Sequence, residues 1–509
     1  MKKIFVTIFA ALALVGCEEA FDVESTGSLS GSAAAEMVEQ DPSFLTSYVN
    51  GIYSYFVQYN TSGSTSTNHD DYGLLATHAM LEIMCEDIAV CGTLNWGSFD
   101  IPHGYGAAEY AHTYILWNFY FTTIAKANEI INFFGEDDPQ NPILRGYLGQ
   151  AYAARALSYM YLMQIYQDPV TGTTPNAVFR DDAPGVPIIY AVRDGKSVEE
   201  MDAKGGRNTL KDIKEEVERN LALATPLLEG YERGSKNEID ATVLNGIAAR
   251  YYLLTQQWDK AEAAAHAAQT GYTVLPKAQV VSNGFMEVSD PEVMWGFNHS
   301  TETMTSYASF FSHVSNDSPG YGGVGQSVHC INKALYDKIP SSDIRKSLFN
   351  GPEGDAAAAQ AGARLPYASR KFGYMASWLQ DYLYMRVEEM ILIEAEAQAR
   401  QNNNSGAAAT LKKLMAERDA SWAEASVSVD DVLLQRKIEL WCEGFEYFDI
   451  RRNGLGATRD YDGSNHPAAN KKNYPAHDLS WNFQVPLREI QNNVHISEDE
   501  KGDYVAPTA

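Results

Sequence analysis

The sequence predicts a mainly α-helical fold in which paired helices form a repeat-like scaffold that carries a layer of loops and short strands. Apolar residues recur at helical spacing over much of the chain, and small residues recur where two helices of a pair would meet. Residues 274–375, rich in Gly, Ser and aromatics, show few helical periods, which indicates loops and short strands. The 509 residues are 45% hydrophobic and 21% charged, the composition of a globular protein.

Helical periodicity defines the scaffold in detail. The predicted helices span residues 44–59, 112–134, 143–166, 209–228, 240–256, 258–270, 381–401, 405–419, 429–443 and 444–452. The helix at 143–166 carries Arg155 within a stripe of tyrosine and leucine side chains. Because a charge is rarely buried alone, we expect the Arg155 guanidinium to pair with a buried carboxylate or with carbonyl groups.

The helices at 240–256 and 258–270 resemble one unit of a tetratricopeptide repeat. The small and aromatic positions of that repeat are occupied by Ala249, Tyr252, Ala261, Ala265 and Ala268. The helices at 381–401 and 405–419, split by three asparagines, form a second such pair. Such units stack into a scaffold and perform no chemistry by themselves, so we expect ligand contacts in the loop layer.

The N-terminus has the pattern of a bacterial lipoprotein signal. A basic start precedes the apolar run Ile4–Leu14, which is shorter than the roughly 20 residues needed to span a bilayer. Small residues then lead to Cys17, as in a lipobox. We predict a signal peptide at 1–16 and a tether at 17–35 that begins with a lipidated, palmitate-bearing Cys17. The less favoured alternative is an ordinary secretory peptide with a chance cysteine.

The chain is strongly acidic and carries few cysteines. Its 39 Lys+Arg and 66 Asp+Glu give a formal net charge of −27, which repels phosphate backbones and excludes general nucleic-acid binding. The cysteines other than Cys17 contain no CxxC pair, so a zinc ribbon or a thioredoxin motif is excluded. For Cys85 and Cys91, two buried thiols are favoured over a disulfide that closes a short loop.

Motifs for catalysis, cofactors and metals fail on their context. Gly320–Gly325 has the glycine spacing of a dinucleotide-binding loop, but a turn at Ser315–Pro319 precedes it where a strand is required. Asp460–Asn465 lacks the glycine and glutamate positions of a calcium-binding EF-hand and is interpreted as a turn, so structural calcium is unsupported. We predict no catalytic residue, no cofactor and no metal site.

Five segments, in order along the chain, resemble the SusD/RagB family of outer-membrane nutrient-binding lipoproteins. They are Trp117–Asn128, Ala154–Tyr166, Arg386–Ala397, Arg436–Arg452 and Val485–Asn492. The first is similar to the family's W-x-x-Y-x-x-I-x-x-A-N helix and the last to its closing P-x-x-E-I-x-x-N. The stretch Pro169–Pro187 departs from the family pattern as an insertion.

The charged residues of the fourth segment predict a structural role. Arg436, Glu439 and Glu443 lie three and four apart on one helix face, and Arg451 and Arg452 follow after the adjoining turn. Neither a cleft nor a nucleophile is implied by this pattern. We therefore expect a charge network that holds two helices together, in preference to a catalytic site.

The resemblance implies a SusD-like fold and a binding function without enzymatic activity. Members of the family lie at the cell surface, anchored in the outer membrane through the lipidated cysteine, here Cys17. They capture oligosaccharide or polysaccharide and deliver it to a SusC-like TonB-dependent transporter. The alternatives are a peptide-binding member of the same family and, less favoured, a surface glycoside hydrolase.

The resemblance also divides the chain into two regions. Residues 36–272 are expected to form an N-terminal SusD-like helical region with tetratricopeptide-like pairs. Residues 273–509 are expected to form the C-terminal SusD/RagB region. Within it, 273–380 is loop-rich, 381–452 is helical and the tail is irregular.

Aromatic side chains in loops are the candidate ligand contacts, because sugar rings stack on flat aromatics while amides and carboxylates bind sugar hydroxyls. The candidate ligand-binding residues are Asn95, Trp96, Tyr105, Tyr307, Asn316, Asp317 and Tyr321. Trp96 is the leading candidate, because its turn-rich setting does not suggest a core position. Trp295, by contrast, lies in an alternating segment and is expected inside the core.

Overall fold

Paired helices and short two-stranded sheets make up the architecture. The structure, a computed structural model, describes residues 37–507 except for 39, 65–66, 94–101 and 103. The helices are α1 (Ser43–Tyr55), α2 (Leu74–Glu82), α3 (Ala111–Ile131), α4 (Pro142–Ile165), α5 (Val198–Ala203), α6 (Leu210–Leu228), α7 (Ala241–Leu254), α8 (Trp258–Ala268), α9 (Lys277–Asn283), α10 (Phe310–Val314), α11 (Lys333–Lys338), α12 (Val387–Arg400), α13 (Asn404–Met415), α14 (Val429–Glu439), α15 (Glu446–Asn453) and α16 (Leu487–Asn492).

The strands are short and pair in twos. They are β1 (Ile88–Cys91), β2 (Val170–Thr171), β3 (Val178–Phe179), β4 (Val293–Phe297), β5 (Val328–Ile331), β6 (Tyr382–Arg386), β7 (Ala457–Thr458) and β8 (Asn473–Tyr474). The pairs β1–β5, β2–β3, β4–β6 and β7–β8 are all antiparallel. Trp295 lies in β4 with none of its surface exposed, which confirms the predicted core position.

The long helices pack side by side as the repeat pattern predicts. Helix α4 packs against α3 and α6, and α8 packs against both α7 and α12. Helix α12 also packs on α13, so the two predicted helix pairs meet through α8. Ala261, Ala265 and Ala268 of α8 have no exposed surface, because their small side chains allow the neighbouring helices to approach closely. The mainly α-helical, tetratricopeptide-like scaffold is thereby confirmed.

Local sequence signals set where several helices begin. At α4 the Asn141 side chain accepts a hydrogen bond from the Ile143 N–H at 2.9 Å, and Pro142 occupies the first helical position. At α6 the Thr209 hydroxyl accepts from the Asp212 N–H at 3.1 Å. The Asp212 carboxylate in turn accepts from the Thr209 N–H at 3.2 Å, so the two residues form a capping box.

The structure corrects two expected helix boundaries and adds a helix that was not predicted. The predicted helix 381–401 begins only at Val387, because Tyr382–Arg386 forms β6 and pairs with β4. The predicted helix 44–59 ends at Tyr55, and Asn60 takes a left-handed φ of 54° in the following turn. Helix α2 was not predicted, because every one of its residues is buried and no polar face marks its period.

Several shorter segments also differ from the structure expected from sequence or add detail to it. The insertion at Pro169–Pro187 contains the β2–β3 hairpin. The tail after residue 454, predicted as irregular, carries the β7–β8 pair and α16. Cys85 and Cys91 are free thiols, as the favoured interpretation has it, but only Cys85 is buried, whereas Cys91 is partly exposed. Within the described residues, no helix combines the length and apolarity needed to cross a bilayer.

Buried ion pairs join the helices of the scaffold. As expected, the Arg155 guanidinium is fully buried, and it donates to Asp194 at 3.0 Å and to Glu216 at 2.6 Å. Glu439 of α14 accepts from Arg418 at 2.9 Å and from Arg386 at 3.3 Å. Burial opposes ionisation of Glu439, but the surrounding guanidinium groups hold its pKa well below the usual value.

The network continues between the last helices of the scaffold. Glu443 accepts from Arg386 Nε at 2.8 Å, and Arg436 Nε donates to Asp449 at 2.9 Å. Arg452 forms two hydrogen bonds of 2.6 Å with Glu396 of α12. These pairs tie α14 and α15 to α12 and to β6, which confirms the predicted charge network and extends it beyond the two helices expected. The predicted helix 429–443 is corrected, because α14 ends at Glu439 and Glu443 lies in the connection to α15.

Candidate functional site

The first half of the candidate site is a turn that follows α1. Asp71 closes this turn, because its carboxylate accepts from the Thr61 hydroxyl at 2.9 Å and from the Ser62 N–H at 2.8 Å. Its own carbonyl accepts from the Asn60 N–H at 2.8 Å. Asp71 is buried, and desolvation raises its pKa despite these hydrogen bonds. The closed turn brings the Tyr59 and His69 rings to a centroid distance of 6.5 Å.

The second half is built on α10 and the tight turn that follows it. Ser309 caps α10 by accepting from the Ser312 N–H at 3.2 Å. The backbone then folds back, and the Gly322 N–H donates to the Ser312 carbonyl at 2.9 Å. A Cβ at Gly323 would lie 1.7 Å from the Ser318 carbonyl oxygen. The glycines of 320–325 therefore permit close backbone packing, which agrees with the loop interpretation and not with a phosphate site.

Four side chains from these two turns form what we call the aromatic platform: Tyr59, His69, Tyr307 and Tyr321. The Tyr321 hydroxyl and His69 Nδ1 are hydrogen-bonded at 2.7 Å, which joins the two turns. The Tyr307 and Tyr321 rings lie 5.8 Å apart at 64° to each other. Tyr307 is 50% exposed and Tyr59 37% exposed, whereas Tyr321 is only 8% exposed. Tyr307 and Tyr59 thus offer ring surface to a ligand, and Tyr321 supports them.

A second aromatic layer supports the platform from below. The His313 ring stacks on Tyr321 with centroids 5.0 Å apart, and it also stacks on Tyr72 with centroids 5.6 Å apart. Burial lowers the pKa of His313 to about 4, so the ring is neutral at pH 7. His313 Nε2 lies 3.1 Å from the His69 carbonyl oxygen. These contacts fix the orientation of Tyr321 in the absence of any ligand.

Only some of the sequence-predicted site residues lie together in the structure. Tyr307 and Tyr321 are brought together in the platform. Asp317 is partly exposed and pairs with Arg370 at 2.9 Å. Trp96, Asn95 and the lipidation site Cys17 lie outside the described residues, so their predicted roles stay predictions.

Tyr105 and Asn316 take positions that differ from the surface setting expected for them. Tyr105 is 1% exposed, because its ring stacks on His112 with centroids 3.9 Å apart. Asn316 is fully buried, and its amide donates to the carbonyls of His329 at 2.8 Å and Ser369 at 2.9 Å. Both side chains hold the loop layer together and present no surface for direct ligand contact in this structure.

Tyr59 and His69 were not predicted. Tyr59 lies at the end of the predicted helix 44–59, and His69 belongs to none of the predicted elements. The helix instead ends four residues before Tyr59. Tyr59 directly precedes Asn60, and asparagine is typical of turns. This pair was the one available sequence signal for a turn that exposes the Tyr59 ring.

One cluster of three carboxylates has the composition of a metal site, but a lysine ammonium already contributes positive charge to it. Ligand atoms of Glu86, Asp87 and Glu446 lie within 4.8 Å of one another. The Lys437 ammonium lies among them, at 2.8 Å from Glu86, 3.0 Å from Asp87 and 3.6 Å from Glu446. Because this ammonium supplies the positive charge that a metal ion would bring, the cluster is a structural ion-pair network.

Clefts elsewhere in the described part of the chain could compete with the platform as ligand sites. One of about 650 Å³ is lined by Phe133, Phe134 and Leu144 together with polar residues of 137–141. Its Phe133 ring already packs on Tyr48 at 4.9 Å. Another, of about 280 Å³, is lined by Trp422, Glu424 and Gln435. In that cleft the Gln435 side chain is engaged by Arg345 at 2.5 Å.

Comparison with solved structures shows the fold. A SusD-like carbohydrate binding protein from Bacteroides vulgatus ATCC 8482 superposes with a TM-score of 0.72 at 20% identity, over 92% of this chain and 99% of its own. A SusD superfamily protein from Bacteroides fragilis gives 0.68 at 17% identity, over 90% and 99%. Surface glycan-binding protein A from Bacteroides thetaiotaomicron, in complex with laminarihexaose, gives 0.65 at 15% identity, over 89% and 98%.

Comparison with protein families adds the sequence relationship. No curated protein matches the chain. The description "Starch-binding associating with outer membrane" matches residues 58–253, and the description "SusD family" matches residues 376–507. The two matches together span well over half of the chain and include both halves of the helical scaffold, and the protein belongs to the SusD/RagB family.

Proposed function

We propose that this protein is a cell-surface lipoprotein that captures oligosaccharide or polysaccharide and delivers it to a SusC-like TonB-dependent transporter in the outer membrane. The observation that carries the proposal is the aromatic platform, whose exposed tyrosines lie on the loop layer of a SusD-family fold. A protein of similar fold, surface glycan-binding protein A, has been solved with laminarihexaose, which supports a glycan as the ligand.

The chemistry of the platform suits a sugar chain. The C–H faces of a sugar ring pack on flat aromatic surface, which Tyr307 and Tyr59 provide. Polar atoms lie at the edge of that surface, because the Asn68 amide donates to the Tyr59 hydroxyl at 2.6 Å. Tyr321 and His69 hold the rings in place before a ligand arrives, which lowers the entropic cost of binding.

The platform is proposed as a binding site only. The carboxylate that follows His69 in sequence, Asp70, is fully buried and lies 3.1 Å from His112 Nε2. This pair is not reachable by a glycosidic bond on the platform. A surface glycoside hydrolase, the alternative, requires turnover, so a reducing-sugar assay on the purified protein with each retained polysaccharide distinguishes the two.

The proposal is tested by retention in native gels that contain a polysaccharide. We expect laminarin, dextran, xyloglucan, galactomannan or arabinan to retard the protein, and Tyr307→Ala to reduce that retardation about tenfold in apparent affinity. This loss corresponds to about 1.4 kcal/mol, a normal cost for truncating an aromatic contact. The exposed Tyr307 ring makes few contacts within the fold, so the variant should remain folded.

Trp422→Ala is the matched control, because it removes a partly exposed ring beside the 280 Å³ cleft. Retardation should be unchanged in this variant. The proposal is contradicted if none of the polysaccharides is retained, or if Trp422→Ala abolishes retention while Tyr307→Ala does not.

The membrane anchor is tested separately at Cys17. We expect the full chain expressed in a Gram-negative host to incorporate radiolabelled palmitate and to fractionate with the outer membrane. Cys17→Ser removes the acceptor thiol, so both the label and the membrane association should be lost. Label that persists in Cys17→Ser would contradict the anchor.

A further inference from the structure

The cationic residues of this chain are distributed very unevenly. Of 39 Lys and Arg residues, none lies in residues 4–125 and none in residues 278–332. Tyr59 and His69 come from the first stretch, and Tyr307 and Tyr321 come from the second. Residues 65–66, 94–101 and 103 also belong to the first stretch and contain no Lys or Arg. Both chain segments that build the platform are therefore free of permanent cations.

The charged groups that do accompany the platform are carboxylates. Asp70 and Asp71 follow His69 directly, and Asp317 lies four residues before Tyr321. Burial raises the pKa of Tyr321, and the negative charge of Asp70 raises it further. Among the described residues, cation–π contacts involve tyrosines elsewhere in the fold but neither Tyr59 nor Tyr307, the two exposed platform tyrosines.

Cationic side chains from outside the two stretches do contact them, as Lys126 does at Tyr55 and Arg386 does at Phe285, and Arg370 reaches the second turn. Arg370 donates from Nε to Asp317 at 2.9 Å and from Nη1 to Asp355 at 3.2 Å. Its single positive charge thus faces two carboxylates. Together, Arg370, Asp317 and Asp355 carry one net negative charge.

We propose that the platform selects uncharged glycans and excludes polyanionic ones, such as uronic-acid or sulfated polysaccharides. This inference rests on the proposed function, since it specifies the ligand of the same site. An anionic sugar placed on these rings would lose water from its charged group and find carboxylates in place of a cationic partner. An uncharged sugar incurs no such cost and retains the stacking contact.

The test compares each retained polysaccharide with its own sulfated derivative in EDTA-containing buffer. Dextran with dextran sulfate, and laminarin with laminarin sulfate, keep the sugar backbone constant while the charge changes. At 20 mM NaCl we expect at least tenfold weaker binding of the sulfated form. At 1 M NaCl, where the screening length falls to about 3 Å, we expect the difference to shrink.

A gain-of-charge variant makes the test specific to the platform. Val324 is 46% exposed in the turn that carries Tyr321, and it is not part of the platform. We expect Val324→Lys to strengthen binding of the sulfated form at least threefold while binding of the uncharged parent is unchanged. Val324→Gln, the matched control, adds a polar side chain of similar size without charge and should change neither.

The outcomes separate this inference from the proposed function. If no polysaccharide of either kind is retained, the proposed function fails. If the sulfated form binds at the level of its uncharged parent at 20 mM NaCl, the inference is overturned, while glycan binding stands. If Val324→Lys and Val324→Gln give the same result, the charge account of the exclusion is overturned as well.

Discussion

At the scale of single residues, the platform depends on a hydrogen bond between two distant parts of the chain. His69 Nδ1 and the Tyr321 hydroxyl, 2.7 Å apart, join a turn near residue 60 to a turn near residue 320. Tyr321 itself is almost covered, whereas Tyr307 beside it is half exposed. The contact surface and the side chain that positions it are therefore different residues.

Tyr321→Phe tests this division of roles. The substitution keeps the ring and its stacking on His313 but deletes the hydroxyl, so His69 loses its fixed orientation. A hydrogen bond of this kind contributes about 0.5–1.5 kcal/mol, and we expect a two- to tenfold loss of glycan affinity by isothermal titration calorimetry. An affinity unchanged within error would show that the hydrogen bond does not position the platform.

Only part of this site could be predicted from sequence, for physical reasons. Tyr307 and Tyr321 lie in a segment whose Gly and Ser content is typical of loops, so their loop setting could be predicted from the composition. Tyr105 has equally loop-like neighbours, yet His112, brought by α3, covers its ring. Asn316 likewise bridges backbone carbonyls from distant segments. Burial of this kind depends on long-range contacts that leave no local pattern.

At the scale of secondary-structure elements, buried ion pairs determine how the last helices meet. Arg452 of α15 is paired with Glu396 of α12 through two hydrogen bonds of 2.6 Å. Burial opposes ionisation of Glu396, but Arg452 and neighbouring guanidinium groups outweigh it and lower its pKa to about 2. The spacing of Arg436, Glu439 and Glu443 revealed that such a network exists, although not which elements it joins.

Arg452→Met tests the contribution of this pair. Removing one partner leaves the Glu396 carboxylate buried without its main cation, at a cost of about 3–5 kcal/mol. We expect a corresponding drop in the free energy of unfolding measured by urea denaturation. In the absence of urea, the same variant should bind glycan with unchanged affinity, because the pair is not part of the platform.

The pH dependence of the pair has a definite sign. The unfolded carboxyl has a pKa of about 4.3, and the folded one is lower, so the pair stabilises the fold fully above the unfolded value. This stabilisation is lost as pH falls from about 4.3 towards 2. In Glu396→Gln the contribution of this residue to the acid slope should vanish. An identical slope in wild type and variant would contradict the assigned ion pair.

At the scale of the whole molecule, the chain combines a helical scaffold with a proposed binding surface that the scaffold pattern does not specify. One apolar core includes residues from Val49 to Ile496, on both sides of the boundary predicted at residues 272 and 273. That boundary stays a prediction. The helix pairs could be predicted because their periodicity is local. Strand β6 was predicted as part of a helix, because its partner β4 lies far away in sequence and leaves no local signal.

The uneven distribution of charge is likewise a property of the whole chain. The chain has a net charge of −27 and contains two long stretches without any Lys or Arg. The platform is assembled from those two stretches. Scaffold helices, by contrast, contain the arginines that pair with buried carboxylates. Buried arginines of the scaffold thus serve in structural ion pairs, whereas the two chain segments that build the platform contribute no Lys or Arg to it.

The central claim is that the aromatic platform is the glycan-binding surface. The most direct measurement is a crystal structure of the protein with an oligosaccharide of the polysaccharide that it retains most strongly. The account predicts a sugar ring within about 4 Å of the Tyr307 face, with Tyr59 at the same surface. An oligosaccharide bound in the Trp422 cleft, or in the cleft beside Phe133, with the platform unoccupied would contradict it.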